Sequence, residues 1–200
     1  MVQITTEMIV KLRESTGCGM MDCKKALAEA AGNMEEAVTS LRKKGLAAVA
    51  KRAERTAAQG TIASYVHLGG KIAVLVEVNC ETDFVAKNDD FQKFAKDVAM
   101  QIAAQAPQYL IREDVPEEIL AKEKELLLDQ AKQEGKPEAA MEKIIAGRIE
   151  KFYELNCLMD QPFIKETKIK IKDLLGDLSA KIGEKIVVSR FVRYQVGEKI

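Results

Sequence analysis

The chain has 200 residues, of which 47% are hydrophobic, and none is Trp. Lys and Arg together number 31, as do Asp and Glu, so the formal net charge is zero, and direct binding of nucleic acid through its phosphates is not expected. No apolar run approaches the roughly 20 residues that span a bilayer, and the N-terminus lacks the features of a secretory signal. These properties predict a cytoplasmic, helix-rich protein without membrane contact.

Residues 1–45 are predicted to form a bundle of three short helices. Thr5 is placed to cap the first helix, with Ile4 and Ile9 as a hydrophobic staple, and Gly17 to end it. The second helix begins around Met21 or Asp22 and ends at Gly32. The third is capped by Asn33, has Glu36 at the capping-box position, and ends at Gly45. So small a bundle has little core and typically serves as a docking module.

Residues 46–60 are predicted to continue as an Ala-rich linker helix. From Thr61 the hydrophobic pattern alternates, and "TIASYVH", a Gly-Gly turn and "KIAVLVEVN" predict a hairpin with one buried face made by Ile72, Val74, Val76 and Val78. Four helical stretches follow: from Asp89 to about residue 104, from an Asp114 cap to Gly135, from Pro137 to Asn156, and through Ile171 to Ile182.

The segment "KIVVSRFVRYQV" predicts a closing strand. The hairpin and this strand together predict a three-stranded antiparallel sheet with helices packed on one face, which is an α+β fold. The predicted domains are therefore a docking bundle at 1–45, a linker helix at 46–60 and a core domain at 61–200.

The sequence shows no signature of a metal or cofactor site. The four cysteines, at positions 18, 23, 80 and 157, form no C-x-x-C pair, and His67 is the one histidine. Zinc sites require closely spaced ligand pairs, so we expect no metal and interpret the cysteines as buried or half-buried thiols in a reducing compartment.

Enzyme motifs are also missing from the sequence. It contains no phosphate-binding loop, dinucleotide fingerprint, G-x-S-x-G elbow or H-E-x-x-H motif. A histidine beside a hairpin turn, such as His67, is more often a surface residue than a general base. We therefore predict a protein that acts by contacting another protein and has no catalytic residues.

Two segments are candidate contact surfaces. In "RESTGCGMMDCKKAL", Met20 and Met21 are adjacent at a helix start and face different directions, so either one or both are exposed, or both fill the small core. In "VNCETDFVAKND", Phe84 follows the end of an apolar strand. It either folds back onto the sheet, the commoner outcome for a lone aromatic, or projects as an apolar wedge beside Asp83.

The same two segments, "LRESTGCGMMDCKKAL" and "VNCETDFVAKN", resemble the signature regions of the bacterial elongation factor Ts family, guanine nucleotide exchange factors of elongation factor Tu. The resemblance covers essentially the whole chain. It implies that the bundle is a ubiquitin-associated-like domain that docks on Tu, with Arg13, Met20 and Met21 at its contact positions.

The resemblance also implies that a second contact segment lies near the magnesium site of Tu. This segment consists of Thr82, Asp83, Phe84 and Val85, with Phe84 as a wedge that promotes GDP release before GTP displaces the factor. The chain looks like the short form of the family, without a second core half and without the inserted coiled-coil hairpin of longer members. The short form implies a homodimer and a two-plus-two complex with Tu.

Two other hypotheses remain open on the sequence alone. One is a protein-binding adaptor that uses only the ubiquitin-associated-like bundle and has no exchange activity; in that case residues 1–45 would suffice for function. The other is a small enzyme of unrecognised chemistry, which would show a cluster of titratable groups in a cleft.

Overall fold

A computed structural model describes residues 4–135 and 137–198, without the side chain of Leu46. The described chain forms, in order, α1 (Thr6–Thr16), α2 (Met20–Glu29), α3 (Met34–Arg52), β1 (Gln59–Val66), β2 (Ile72–Cys80), α4 (Asp83–Ala86), α5 (Asp89–Gln105), α6 (Glu117–Gln133), α7 (Glu138–Asn156), β3 (Pro162–Phe163), β4 (Glu166–Lys170), α8 (Ile171–Ile182) and β5 (Val187–Gln195). Short 3-10 turns lie at Arg112–Asp114 and Leu158–Asp160. The predicted α+β class is confirmed.

The chain forms two compact units. The first comprises the chain up to Gly60, together with Asn79–Phe91 and Leu174–Val187. The second comprises Thr61–Val78, Gln92–Asp173 and the chain from Val188 onwards. The division into domains at 1–45, 46–60 and 61–200 stays a prediction.

The first unit contains the predicted bundle. The Thr5 hydroxyl accepts a hydrogen bond from the Met8 N–H at 3.3 Å, and Gly17 ends α1 with a φ of 68°, as predicted. The Asn33 side chain caps α3 by accepting from the N–H groups of Glu35 and Glu36. The bundle core is made of small and aliphatic side chains from all three helices: Ile9, Leu12, Cys23, Ala26, Leu27, Ala30, Ala37 and Leu41.

The predicted end of the third helix at Gly45 is wrong. Helix α3 continues to Arg52, and residues 53–58 are not helical. Gly45 lies where α3 approaches α8 closely, since a Cβ atom at this position would lie 3.0 Å from the Cβ of Ala180. The glycine therefore permits helix packing and does not end the helix.

The second unit is built around the sheet. Its strand order is β1-β2-β5 and its pairing is antiparallel, as predicted. Along β2 the side chains of Val74, Val76 and Val78 are buried while Leu75 is exposed. The burial follows the period of two that the sequence indicated, and one face of the sheet therefore contributes to the core.

The helices of the second unit largely follow the predicted bounds. On α5 the predicted apolar face is buried: Phe91, Phe94, Val98 and Ile102. Asp114, however, does not cap α6. Its carboxylate accepts from the Ile111 N–H at 3.1 Å and so caps a 3-10 turn, while Pro116 precedes α6.

Helices α6 and α7 pack against each other and are joined by a short connection around Gly135. They form a helical hairpin. No helix in the described part of the chain is both long and apolar enough to cross a membrane.

The sequence pattern does not predict the β3–β4 hairpin. Its strands have only 2 and 5 residues and carry no hydrophobic alternation. The buried amide of Gln101 on α5 donates to the Pro162 carbonyl at 3.1 Å and accepts from the Ile164 N–H at 2.9 Å. Because Gln101 lies 61 residues from Pro162 and 63 from Ile164, local sequence gives no indication of the hairpin.

Candidate protein-contact site

The segment from Thr82 to Val85 forms a single exposed helical turn directly after β2. Thr82 precedes α4, and its hydroxyl oxygen accepts from the Val85 N–H at 3.4 Å. The side chain of Phe84 is 81% exposed, whereas Val85 is half-buried. Of the two outcomes open for Phe84, the structure therefore has the projecting one.

A distant glutamate anchors this turn. One carboxylate oxygen of Glu184 accepts from the N–H groups of Glu81 and Thr82, both at 3.1 Å. The other oxygen accepts from the Thr82 hydroxyl at 2.7 Å. Three donors at the start of the turn are thus held by one negatively charged group, the stronger type of hydrogen bond in proteins.

A second set of contacts joins the turn to the chain after α3. The Glu81 carboxylate accepts from the Lys185 N–H at 2.6 Å and pairs with the Arg55 guanidinium at 3.4 Å. The hydrogen bond from Lys185 is the largest influence that lowers the pKa of Glu81. The ammonium of Lys185 donates to the carbonyls of Ala53 at 2.6 Å and Arg55 at 2.9 Å.

The polar neighbour of Phe84 is an exposed ion pair. Lys87 donates to the Asp83 carboxylate at 2.9 Å, one helical turn away. This hydrogen bond lowers the pKa of Asp83. The apolar Phe84 ring therefore projects beside a carboxylate that is negatively charged at neutral pH.

The start of α2 presents two methionines to solvent. Met21 is 75% exposed and Met20 is 37% exposed, while Cys23, Ala26 and Leu27 occupy the buried face of α2. The two methionines therefore do not both fill the bundle core. Arg13 is also exposed, on α1.

Lys181 connects the turn between α1 and α2 with the start of α5 inside the first unit. Its methylene chain lies over Gly17, where an added Cβ would come within 3.2 Å of it, and its ammonium pairs with Asp90 at 2.7 Å. Asn88 begins α5 by accepting from the N–H groups of Asp90 and Phe91. The two candidate contact segments are thus joined through side chains of one unit.

The cysteines lie as predicted, with Cys23, Cys80 and Cys157 buried and Cys18 half-buried, all as free thiols. Burial raises the pKa of Cys23 and of Cys80, and it raises the pKa of Cys157 to about 11. A raised pKa favours the unreactive thiol form. Among the described residues no group of His, Cys, Asp and Glu is arranged to hold a metal ion.

The groups that anchor the candidate contact segment cannot be recognised from the sequence. Glu184 and Lys185 follow Gly183 in a short connection between α8 and β5, and the motif "GEK" resembles any surface turn. Their partners lie about 100 residues earlier in the chain, so no local pattern could have identified them.

Comparison with known proteins identifies the class of this molecule. The elongation factor TS family model matches residues 5–198. The protein named elongation factor Ts of Moorella thermoacetica is 63% identical over 189 residues, covering 94% of this chain and 93% of that protein. The elongation factor Ts of Carboxydothermus hydrogenoformans is 58% identical, covering 98% of this chain and 90% of that protein. That of Thermoanaerobacter sp. strain X514 is 55% identical, covering 98% and 97%.

These similarities define a translation elongation factor. The chain belongs to the elongation factor Ts family. The chain covers 90% or more of the length of each of these relatives.

Proposed function

We propose that the chain binds the GDP-bound form of elongation factor Tu and promotes GDP release by inserting Phe84 near the magnesium site. The observation that best supports this proposal is the strong exposure of Phe84 on a turn anchored by Glu184. Arg13, Met20 and Met21 form the docking surface of the ubiquitin-associated-like bundle, and Thr82, Asp83, Phe84 and Val85 form the exchange segment. The protein works in the cytoplasm, by contact and without covalent chemistry.

The physical basis of exchange is the sensitivity of magnesium to its ligands. Magnesium requires near-ideal octahedral oxygen coordination and bridges the nucleotide phosphates to their protein. A small displacement of the supporting elements of Tu therefore removes much of the metal's binding energy.

Thermodynamic linkage limits what the phenylalanine contributes. The factor weakens GDP binding to Tu by the same ratio by which GDP weakens binding of the factor. A ten-thousandfold change requires a preference of roughly 5.5 kcal/mol for the nucleotide-free form. Burial of one Phe side chain supplies only about 1.5–3 kcal/mol. Docking through the bundle and the rest of the chain supplies the remainder.

The test is the rate of GDP release from Tu. We expect Phe84→Ala to slow release by roughly ten- to a hundredfold, because the apolar contact is lost. Release of a fluorescent GDP analogue from Tu is measured with equal concentrations of wild type and variant. Leu68→Ala, which removes a side chain that is 91% exposed on the hairpin turn, is the matched control and should leave the rate unchanged.

The adaptor hypothesis makes a different prediction for the bundle residue Met21 and for Phe84. An adaptor that binds through the bundle alone depends on Met21 and is indifferent to Phe84. Equal release rates for wild type and Phe84→Ala, together with lost Tu binding for Met21→Asp, would support the adaptor and contradict exchange.

We also propose that the protein is a homodimer and forms a two-plus-two complex with Tu. The outer face of the three-stranded sheet supports this proposal. It carries exposed apolar side chains from all three strands: Ile62, Val66, Leu75, Val192 and Tyr194. An open apolar sheet face of this kind is typical of an interface, and a second copy can cover it by an isologous contact.

A further inference from the structure

The exchange segment is too short to hold its own conformation. Helix α4 has four residues, and none of them is buried. A single helical turn is unstable in water because nucleation costs more than one hydrogen bond returns. The exposed position of Phe84 must therefore be fixed by groups outside the turn.

Glu184 is the group that fixes it. Its carboxylate accepts the N–H groups of Glu81 and Thr82 on one oxygen and the Thr82 hydroxyl on the other. Since the hydroxyl proton points to Glu184, a lone pair of the same oxygen is directed to the Val85 N–H. One carboxylate thus orders both the entry to the turn and its internal capping bond.

The backbone of Glu184 is itself held in place. The buried hydroxyl of Ser179 donates to the Glu184 carbonyl at 2.5 Å, and the N–H of Gly183 bonds to the Ser179 carbonyl at 3.0 Å. Gly183 has a φ of 86°, which lets α8 end immediately before Glu184. The backbone that carries the carboxylate is therefore fixed to the last turn of α8 by hydrogen bonds to Ser179.

The next residue, Lys185, bonds to the segment that follows α3. Lys185 donates its N–H to the Glu81 side chain and its ammonium to the carbonyls of Ala53 and Arg55, just after α3. Glu81 and the Glu184–Lys185 pair thus exchange side chain-to-backbone bonds in both directions. Two consecutive residues fix the exchange segment relative to the end of the helix that belongs to the docking bundle.

From this geometry we infer that Glu184 is a positioning residue for nucleotide exchange, which holds the Thr82–Val85 turn so that Phe84 is already placed when the factor docks. This inference rests on the proposed exchange function. Pre-organisation of a contact residue raises the rate of the step it drives, because ordering is not required after docking.

The first measurement separates positioning from docking. GDP release from Tu is followed over a range of factor concentrations, which gives a saturating rate and a half-saturating concentration. For Glu184→Ala we expect the saturating rate to fall by about tenfold, with little change in the half-saturating concentration. If Glu184→Ala only reduced the fraction of folded protein, the half-saturating concentration would rise and the saturating rate would stay at the wild-type value. That result would contradict the inference.

The second measurement is a double-mutant cycle with Phe84→Ala. If Glu184 acts through Phe84, then Glu184→Ala changes the saturating rate by less than about twofold when Phe84 is already alanine. Equal effects of Glu184→Ala in both backgrounds would overturn the inference. If Phe84→Ala alone leaves the rate at the wild-type value, the proposed function fails as well; if it slows release but Glu184→Ala does not, only the positioning role fails.

Two further variants control for charge and folding. Glu184→Gln keeps an oxygen that accepts both N–H groups, so it should recover most of the saturating rate, and a rate as low as that of Glu184→Ala would contradict anchoring by hydrogen bonds. Glu54→Ala removes an exposed glutamate of the same unit that makes no hydrogen bond or ion pair with any other described residue. The saturating rate of Glu54→Ala should equal that of the wild type. A rate as low as that of Glu184→Ala would count against a specific role of Glu184.

Discussion

Asp160 lies at the centre of an ion-pair cluster in the second unit and is only 3% exposed. Arg112 donates to its two carboxylate oxygens at 2.8 Å each, and Lys172 donates at 2.8 Å. Burial alone would raise the pKa of Asp160, but the hydrogen bonds from Arg112 and Lys172 outweigh it and lower the pKa to about 2. The aspartate is therefore charged in the folded protein and fully paired.

This cluster predicts a contribution to stability that is lost in acid. The pKa of Asp160 falls from 3.8 in the unfolded chain to about 2 in the folded protein, which corresponds to about 2 kcal/mol of the free energy of unfolding at neutral pH. Because the folded pKa is the lower one, this contribution is present above about pH 4 and disappears as the pH falls towards 2.

Asp160→Asn should therefore lower the free energy of unfolding by about 2 kcal/mol or more at pH 7, since Arg112 and Lys172 lose their buried partner. The deficit should shrink to roughly half by pH 3. Urea unfolding of wild type and variant at both pH values provides the measurement, and a deficit independent of pH would contradict the ionic origin.

Phe84 and Phe91 show how position decides the role of a residue. They lie seven residues apart, yet Phe84 projects into solvent while Phe91 is fully buried. Phe84 belongs to a single turn with no buried residue, whereas Phe91 lies in the first full turn of α5, after the Asn88 cap. The sequence alone left both outcomes open for Phe84, and its exposure is what makes it available to a partner.

At the scale of helices, Gly45 and Gly147 occupy similar positions but different surroundings. Both lie inside long helices, α3 and α7 respectively. An added Cβ at Gly45 would lie 3.0 Å from the Cβ of Ala180, whereas at Gly147 no described atom outside the neighbouring helix backbone would lie within 4 Å of it. The Cβ of Ala180 is fixed by its backbone, so only a shift between α3 and α8 could make room at Gly45.

These surroundings predict that the two glycines differ in how substitution by alanine changes the free energy of unfolding. Gly147→Ala should raise the free energy of unfolding by about 0.5–1 kcal/mol, because alanine loses less backbone entropy in a helix. Gly45→Ala should not show this gain, and Gly45→Leu should destabilise by about 1–3 kcal/mol through overpacking. Thermal or denaturant unfolding of the three variants decides the matter; an equal gain at both glycines would show that α3 and α8 do not pack closely there.

At the scale of the whole molecule, the outer face of the sheet predicts the oligomeric state. Light scattering at micromolar concentration should give about twice the 22.2 kDa mass of one chain. Leu75→Glu should give the monomer mass, because it places a charge in the centre of the proposed apolar contact. Ile119→Glu, at an exposed apolar position on α6, is the matched control and should stay dimeric. A wild-type mass near that of one chain would contradict the homodimer.

The sequence by itself determined the local elements of this protein. Capping residues such as Thr5 and Asn33, the alternation along β2 and the spacing of apolar residues on α5 act over a few residues, and the structure follows them closely. The two candidate contact segments are each contiguous in the sequence, and their contact role stays a prediction.

Only the tertiary structure decided what depends on distant partners. Gly45 packs against Ala180 and does not end a helix. The β3–β4 hairpin is hydrogen-bonded to the amide of Gln101, and the Thr82–Val85 turn is hydrogen-bonded to Glu184. In each case the partner lies 60 or more residues away, so the hydrogen bond or close contact that fixes the conformation exists only once the chain has folded.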